Sequence, residues 1–262
     1  MLRQRKNNKK NRSCARHKLG FKRMKKVIKC FAVLAFVIGV FTGCVSCAFN
    51  AIKGNGNLLT SKKSVSAFEK IHVSNSANVR FYSSSEYKVV VTTDENLDEY
   101  VEIVTENNVL NIGTKSGSYS FSKFLVEIYC PTLTGISISG SGRFESVDKI
   151  TTSTFDTSVT GSGKIEGNIE CEKLHARISG SGRIIITGSG KDADIDISGS
   201  GNFNGSDFII NNATVRISGS GSADVYATDN LKANTSGSGN INYRGEPKTD
   251  TNVSGSGRIR KK

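Results

Sequence analysis

The tripeptide Gly-Ser-Gly recurs through the second half of this chain at a nearly constant interval. It begins at residues 140, 161, 180, 199, 219, 237 and 255, with spacings of 21, 19, 19, 20, 18 and 18 residues, and an eighth copy at 188 lies outside that series. A β-branched residue and then Ser or Thr usually precede each copy. Such self-similarity is typical of stacked architectures, in which each unit buries its apolar edge against its neighbours.

The repeat predicts an all-β fold, a parallel β-helix. A period near 19 is too short for paired helices, and the flanking Ile, Val, Thr and Phe favour strands. Simple hairpins would make successive units alternate in direction, so the repeat would not superpose on itself. We expect one coil to take roughly 19 residues in about three short strands and coils to stack at ~4.8 Å. Residues 136–262 are predicted to form this β-helix, preceded by a β-rich half over residues 57–135.

Stacking predicts that equivalent residues lie above one another. The glycines are expected to form the corner, because tight turns often require a positive φ. Thr235 interrupts an otherwise apolar inward column, predicted to consist of Ile138, Val159, Ile178, Ile197, Ile217 and Val253.

A weaker copy of the rhythm occurs earlier in the chain. Residues 71–81 follow the same order of apolar and polar residues as residues 136–144, with Asn-Ser-Ala in place of Gly-Ser-Gly. Alternating or apolar stretches between the two predict strands at 88–92, 109–112 and 124–129. Residues 94–100 are consistent with either a loop or a short helix.

The N-terminal 43 residues form a basic leader. They hold 13 Lys or Arg and no acid, and residues 30–49 carry no charge. This pattern predicts an export signal, either a cleaved signal peptide or an uncleaved anchor, followed by a linker over residues 44–56. The body is then extracytoplasmic, because the positive flank stays inside. Met24 is an alternative start, which would not change the location.

Phe41-Thr42-Gly43-Cys44 is similar to a bacterial lipoprotein cleavage site, so Cys44 is the lipidation candidate. A Cys within an apolar anchor is the alternative. We therefore expect a membrane-anchored protein, an outer-membrane or cell-surface lipoprotein. Cys130 and Cys171 are the two cysteines of the body, and an oxidising compartment would permit their pairing.

The charge of the body argues against nucleic-acid binding. From Cys44 onward the chain has 23 basic and 23 acidic residues, whereas a groove that follows phosphates needs clustered positive charge.

The segments Phe68-Glu69-Lys70-Ile71-His72-Val73 and Cys130-Pro131-Thr132-Leu133, with the serial Ile-Ser-Gly-Ser-Gly units, resemble the putative auto-transporter adhesin, head GIN domain family over roughly residues 57–260. The resemblance implies a right-handed β-helix in bacterial envelope or secreted proteins, often lipoproteins. It supplies no catalytic residues.

Two sequence patterns could indicate a catalytic or metal-binding site, but a purely structural role explains each of them more simply. Gly161-Ser162-Gly163-Lys164 lacks the spacing of a phosphate loop and is predicted to be a corner. Asp192, Asp194 and Asp196 alternate along a strand, so they are weak candidates for a Ca²⁺ site or paired acids. Alternation with apolar residues is also what a solvated strand face requires, and we predict neither a metal nor a cofactor.

The histidines of the body give no strong catalytic pattern either. His175 follows Cys171 at a spacing that suits half of a zinc site or a thiol–imidazole pair, and His72 is the other histidine. No second ligand pair stands at a suitable spacing.

A polar residue follows most corners and should form a line along the coils, which we call the basic stripe. It is either a solvated ladder or a surface for an extended acidic or hydroxylated polymer. Its members are Arg143, Lys164, Arg183, Asn202, Asn240 and Arg258.

The sequence therefore predicts a non-enzymatic protein for adhesion, binding or envelope scaffolding. Its expected partners are the membrane, reached through a lipid or an N-terminal anchor, and a glycan or an envelope protein. The alternatives are a glycan-acting β-helix enzyme and an envelope sensor that binds another protein.

Overall fold

The computed structural model describes residues 51–262, and its first half is built from short strands. A 3-10 helix, Glu95–Tyr100, follows the fifth strand. The strands are β1 (Ile52–Lys53), β2 (Leu58–Lys63), β3 (Lys70–Val73), β4 (Asn78–Ser83), β5 (Lys88–Asp94), β6 (Val101–Glu106), β7 (Val109–Thr114), β8 (Tyr119–Ser120) and β9 (Phe124–Cys130).

Five long strands of 12 to 18 residues, β12 to β16 in the list below, dominate the second half. Each Gly-Ser-Gly of the main series lies at the break between two of them. They are β10 (Gly135–Gly140), β11 (Arg143–Ser146), β12 (Ile150–Gly161), β13 (Lys164–Gly180), β14 (Arg183–Gly199), β15 (Asn202–Gly219), β16 (Ser222–Gly237), β17 (Asn240–Arg244), β18 (Lys248–Gly255) and β19 (Arg258–Lys261).

The repeats stack in parallel and in register. Ile178 on β13 is paired with Val159 on β12 and with Ile197 on β14, and the same relation continues through β15 and β16. The fold is a parallel β-solenoid of about seven turns, which confirms the predicted class. The expected three short strands per coil are found only in part. In the central coils, β13 and β15 run for 17 and 18 residues, because ladder pairing continues around most of the coil, with register shifts near Ile185 and Gly205, and the strands end at the glycine corner.

The corner glycines of successive coils lie in one file. Each corner contains two glycines, and they are needed for different reasons. Gly180 has φ +115°, and the Ser181 N–H donates to the Gly161 carbonyl at 2.9 Å. Gly182 has no positive φ, but a Cβ on it would lie 2.3 Å from Val159 Cγ1. The turn therefore requires the first glycine, and close packing on the coil below requires the second.

The inward column is buried along most of its length. Ile178 is 2% exposed and Thr235 is 3% exposed, and the Thr235 hydroxyl donates to the Gly239 carbonyl at 3.2 Å. The prediction is wrong for Val253, which is 44% exposed. Among residues 51–262, its strand, β18, pairs with β16 and with no strand on its other side, which leaves the side chain uncovered there.

The early copy of the repeat pattern is a level of the same stack, lying between β7 and β9 on one side and the Gly-Ser-Gly coils on the other. Ile71 on β3 pairs with Ile136 on β10, and Val79 on β4 pairs with Phe144 on β11, all in parallel. The sheet therefore continues without interruption from the predicted β-rich half into the repeats. β2, β5 and β6 instead make antiparallel pairings. Ile52–Lys53, inside the predicted linker, pairs with β8.

The leader lies outside the described residues. This applies to the basic segment 1–43, to the alternative start at Met24 and to the lipidation candidate Cys44. In the part of the chain that the structure does describe, no helix is both long and apolar enough to span a bilayer.

Candidate binding face

The basic stripe lies in a single file. Lys164 pairs with Arg143 on one side and with Arg183 on the other, and Ser222 fills the position between Asn202 and Asn240. Lys164 Nζ lies 2.6 Å from Glu166 Oε1, so this residue is a paired side chain at a solenoid corner.

The three predicted carboxylates on β14 point to the outer side of the solenoid, and each has a partner on an adjacent coil. Asn212 Nδ2 donates to Asp192 at 2.8 Å, and Arg216 Nη1 donates to Asp196 at 3.2 Å. Among residues 51–262, no group of three or more His, Cys, Asp or Glu is arranged to hold a metal ion. The geometry fits a solvated face better than a set of paired acids.

The two histidines make contacts that differ from the sequence alternatives. His175 Nδ1 lies 3.6 Å from Asp194 Oδ2 on the outer face, whereas Cys171 is buried. His72 Nδ1 lies 2.8 Å from Ser137 Oγ. Sequence reasoning missed this contact, since the two residues are 65 positions apart and meet only because β3 pairs with β10.

Neither cysteine of the body is a candidate nucleophile. Cys130 and Cys171 are both free and buried, so the pairing that the sequence left open does not form. Burial raises the pKa of the Cys130 thiol to about 12 and that of Cys171 to about 11. Since the thiolate is the reactive form, both side chains are inert at neutral pH.

Two files of hydroxyl groups flank the glycine corner, and we call them together the hydroxyl edge. All members are exposed, and within the described chain none of their hydroxyls makes a hydrogen bond to another protein group. The file before the first glycine consists of Ser139, Thr160, Ser179, Ser198, Ser218, Ser236 and Ser254, paired in register from strand to strand. The file after it consists of Ser141, Ser162, Ser181, Ser200, Ser220, Ser238 and Ser256.

Beside the hydroxyl edge lie two hollows on one face of the solenoid. One, of about 520 Å³, runs from Arg177 to Ser254 between the first hydroxyl file and the residues three positions before each corner glycine. The other, of about 280 Å³, is lined by Lys70, Asp156 and Ser158 and also by Arg177. We call the two together the face groove.

The face groove was not predicted. The polar residues that line it nevertheless recur in the sequence, at the third position before the first glycine of each corner. That position holds Ser137, Ser158, Arg177, Asp196, Arg216, Asn234 and Asn252. Because the residue type changes from coil to coil, the pattern is visible only when the coils are aligned.

The comparisons with known proteins agree with this architecture. The family model described as "Putative auto-transporter adhesin, head GIN domain" matches residues 67–247. The chain belongs to this family. The resemblance seen in the sequence is thereby confirmed, while no curated protein matches the chain.

Solved structures share the fold of this head GIN domain protein. A putative adhesin from Bacteroides fragilis is 25% identical, with a TM-score of 0.78, over 81% of this chain and 100% of its own. A putative lipid binding protein from Parabacteroides distasonis is 28% identical, with a TM-score of 0.69 and the same coverage. A putative adhesin from Parabacteroides merdae is 27% identical, with a TM-score of 0.61, over 81% of this chain and 99% of its own.

Proposed function

We propose that this head GIN domain protein is a membrane-tethered, extracytoplasmic binding protein that holds a glycan along its solenoid and does not catalyse a reaction. The hydroxyl edge carries this proposal. Within the described chain, exposed hydroxyls without protein partners recur on each Gly-Ser-Gly coil, and each one is able both to donate and to accept a hydrogen bond. This is the chemistry that complements the hydroxyls of a sugar.

The regular spacing favours a polymer over a single small molecule. Equivalent hydroxyls are separated by one coil, ~4.8 Å, along a straight file. A chain of sugars lying along that file meets the same groups repeatedly, so many weak contacts add up to useful avidity. Neighbours described as adhesins are consistent with binding of this kind.

Catalysis receives less support from the geometry. The carboxylates of Asp192 and Asp196 already accept hydrogen bonds from Asn212 and Arg216. His72 and Ser137 resemble a base and a nucleophile, but among the described residues no carboxylate contacts His72 to orient it. The usual third member of such an arrangement is therefore missing.

A glycan array probed with the full chain in detergent micelles tests the proposal. We expect binding to extended glycans. A triple variant, Ser179→Ala with Ser198→Ala and Ser218→Ala, should weaken it by about tenfold or more, since a neutral hydrogen bond contributes about 0.5–1.5 kcal/mol. A control with Thr151→Ala and Ser153→Ala, exposed hydroxyls elsewhere on the coil, should bind as the parent does.

Two results would contradict this proposal. If the protein binds no glycan, the proposal that its ligand is a glycan is rejected. Turnover of a glycan that is lost on joint replacement of Asp192, Asp194 and Asp196 by Ala would instead support the enzyme alternative.

The membrane tether rests on the leader sequence and has its own test. Metabolic labelling with a fatty acid should label the parent chain and a Cys47→Ala variant, and it should fail for Cys44→Ala. Cys47 is the matched control because it lies three residues from the candidate in the same apolar segment. Equal labelling of all three chains would reject lipidation at Cys44.

A further inference from the structure

The two hollows of the face groove meet at one side chain. Arg177 lines both of them, whereas their other polar lining residues belong to one hollow or the other. Together the hollows follow eight successive strands of one sheet, from β3 through β10 and β12–β16 to β18. At ~4.8 Å per level this is a path of about 34 Å, long enough for several sugar units.

Most charges along this path are already neutralised by a neighbour. Lys70 Nζ lies 2.8 Å from Asp156 Oδ2, and Arg216 Nη1 lies 3.2 Å from Asp196 Oδ1. Arg177 is exposed and, within the described chain, takes part in no ion pair. Asp196, the register partner of Arg177 on β14, instead accepts a hydrogen bond from Arg216 on β15.

From this arrangement we infer that the face groove takes an acidic polysaccharide and that Arg177 binds its carboxylate or sulfate groups. The inference rests on the proposed function and specifies the class of glycan. A guanidinium presents a planar fork of N–H donors that matches the two oxygens of a carboxylate or sulfate. Ser158 precedes Arg177 in its file and Ser179 lies two residues further along β13, so hydroxyl groups are available on both sides for the rest of the sugar.

The experiment compares polysaccharides that differ in charge on a shared backbone. The probes are dextran with carboxymethyl dextran and dextran sulfate, chondroitin with chondroitin sulfate, and polygalacturonate with its methyl ester, each titrated into the full chain in detergent micelles. In at least one set the charged member should bind about tenfold more tightly than the neutral one, which is the effect of one charge-assisted contact. The preference should shrink as salt is added, because the arginine is exposed to solvent. Preference for carboxymethyl dextran or for dextran sulfate distinguishes a carboxylate ligand from a sulfate ligand.

Arg244 provides a matched control. It is an exposed arginine that, among the described residues, makes no ion pair, and it belongs to neither the basic stripe nor the lining of the two hollows. Arg177→Gln should remove most of the preference for the charged member, and Arg244→Gln should change it less than about twofold. Equal binding of charged and neutral members, or an equal loss in both variants, overturns the assignment of Arg177. Array binding confined to neutral glycans overturns the inference while the proposed function stands, and binding to no glycan overturns both.

Discussion

The carbonyl oxygen of Gly180 lies 2.7 Å from the point that a Cβ atom on Gly199 would occupy. Gly199 also has φ +112°, a conformation that residues with a side chain rarely adopt. The same relation links the first glycines of successive corners. Each corner therefore depends on the absence of a side chain both for its own backbone and for the fit of the coil beneath it.

Gly199→Ala should lower the free energy of unfolding by about 2–3 kcal/mol, because the strained φ and the clash with Gly180 act together. Urea denaturation followed by circular dichroism measures this. Ser200→Ala is the control, since the Ser200 side chain is exposed and its loss should change stability by less than about 0.5 kcal/mol. Equal effects in the two variants would contradict the steric account of the corner.

The loss of stability on replacing a residue of the inward column by Ala should depend strongly on its position in the stack. Ile178 is 2% exposed and has neighbours in the coils on both sides, so Ile178→Ala should cost about 2–5 kcal/mol through lost burial and the cavity left behind. Val253 is 44% exposed on β18, which among the described residues pairs with β16 only, and Val253→Ala should cost less than about 0.5 kcal/mol. Thermal or chemical unfolding of the two variants compares them directly. Similar losses would mean that Val253 is covered in solution.

Asp94 should make part of the stability dependent on pH. Its side chain is buried and joins the segment after β1 to the loop before β9: Ser122 N–H donates to Oδ2 at 2.8 Å and Gly56 N–H to Oδ1 at 2.9 Å. Hydrogen bonds from the Ser122 hydroxyl and from backbone N–H groups hold the pKa of Asp94 below its usual range, although burial alone would raise it.

Because the folded-state pKa is the lower one, this contribution is present above the unfolded pKa of about 3.9 and is lost as the pH falls through the folded value. Ser122→Ala should raise the pKa of Asp94 and reduce the loss of stability between pH 7 and pH 3. An NMR titration of the Asp94 carboxyl group and urea denaturation at the two pH values measure both effects. Ser120→Ala, an exposed serine two residues away, should leave the titration unchanged, and a shift of equal size there would contradict the role of Ser122.

The two thiols of the body should remain reduced and unreactive in the folded protein. Burial raises the pKa of Cys130 to about 12 and that of Cys171 to about 11, so almost no thiolate is present at pH 7. Iodoacetamide should label both residues in urea and neither in buffer, as read by peptide mass spectrometry. A Cys130–Cys171 bridge in non-reducing peptide maps would contradict the structure.

The parts of the fold that could be predicted are those fixed by the repeat itself. Spacing alone places Ile178 over Val159 and Lys164 over Arg143, because parallel coils must align equivalent residues. The prediction was wrong at Val253, since a periodic pattern does not reveal which strands have a neighbour on both sides. The antiparallel strands β2 and β6 were also not predictable as such, because their pairing depends on distant partners and not on a period.

The candidate site was less predictable than the fold. The basic stripe could be located from the residue after each corner. Arg177, in contrast, is distinguished only by the ion pairs that its neighbours form with each other. Arg216 neutralises Asp196 from the next coil, and the hollows on either side of Arg177 depend on side chains contributed by several coils. Such features arise from contacts between residues about 20 positions apart, which local patterns do not encode.

The in-register stacking of β12 to β16 has a consequence for how genes of this kind diversify. Duplication or deletion of the stretch encoding one complete coil, in frame, would keep the glycine corners and the inward column aligned from coil to coil, while the path across the outer surface would lengthen or shorten by ~4.8 Å. The length of the binding surface can thus change without changes to the buried residues. Substitutions at outward positions can alter which ligand each coil prefers.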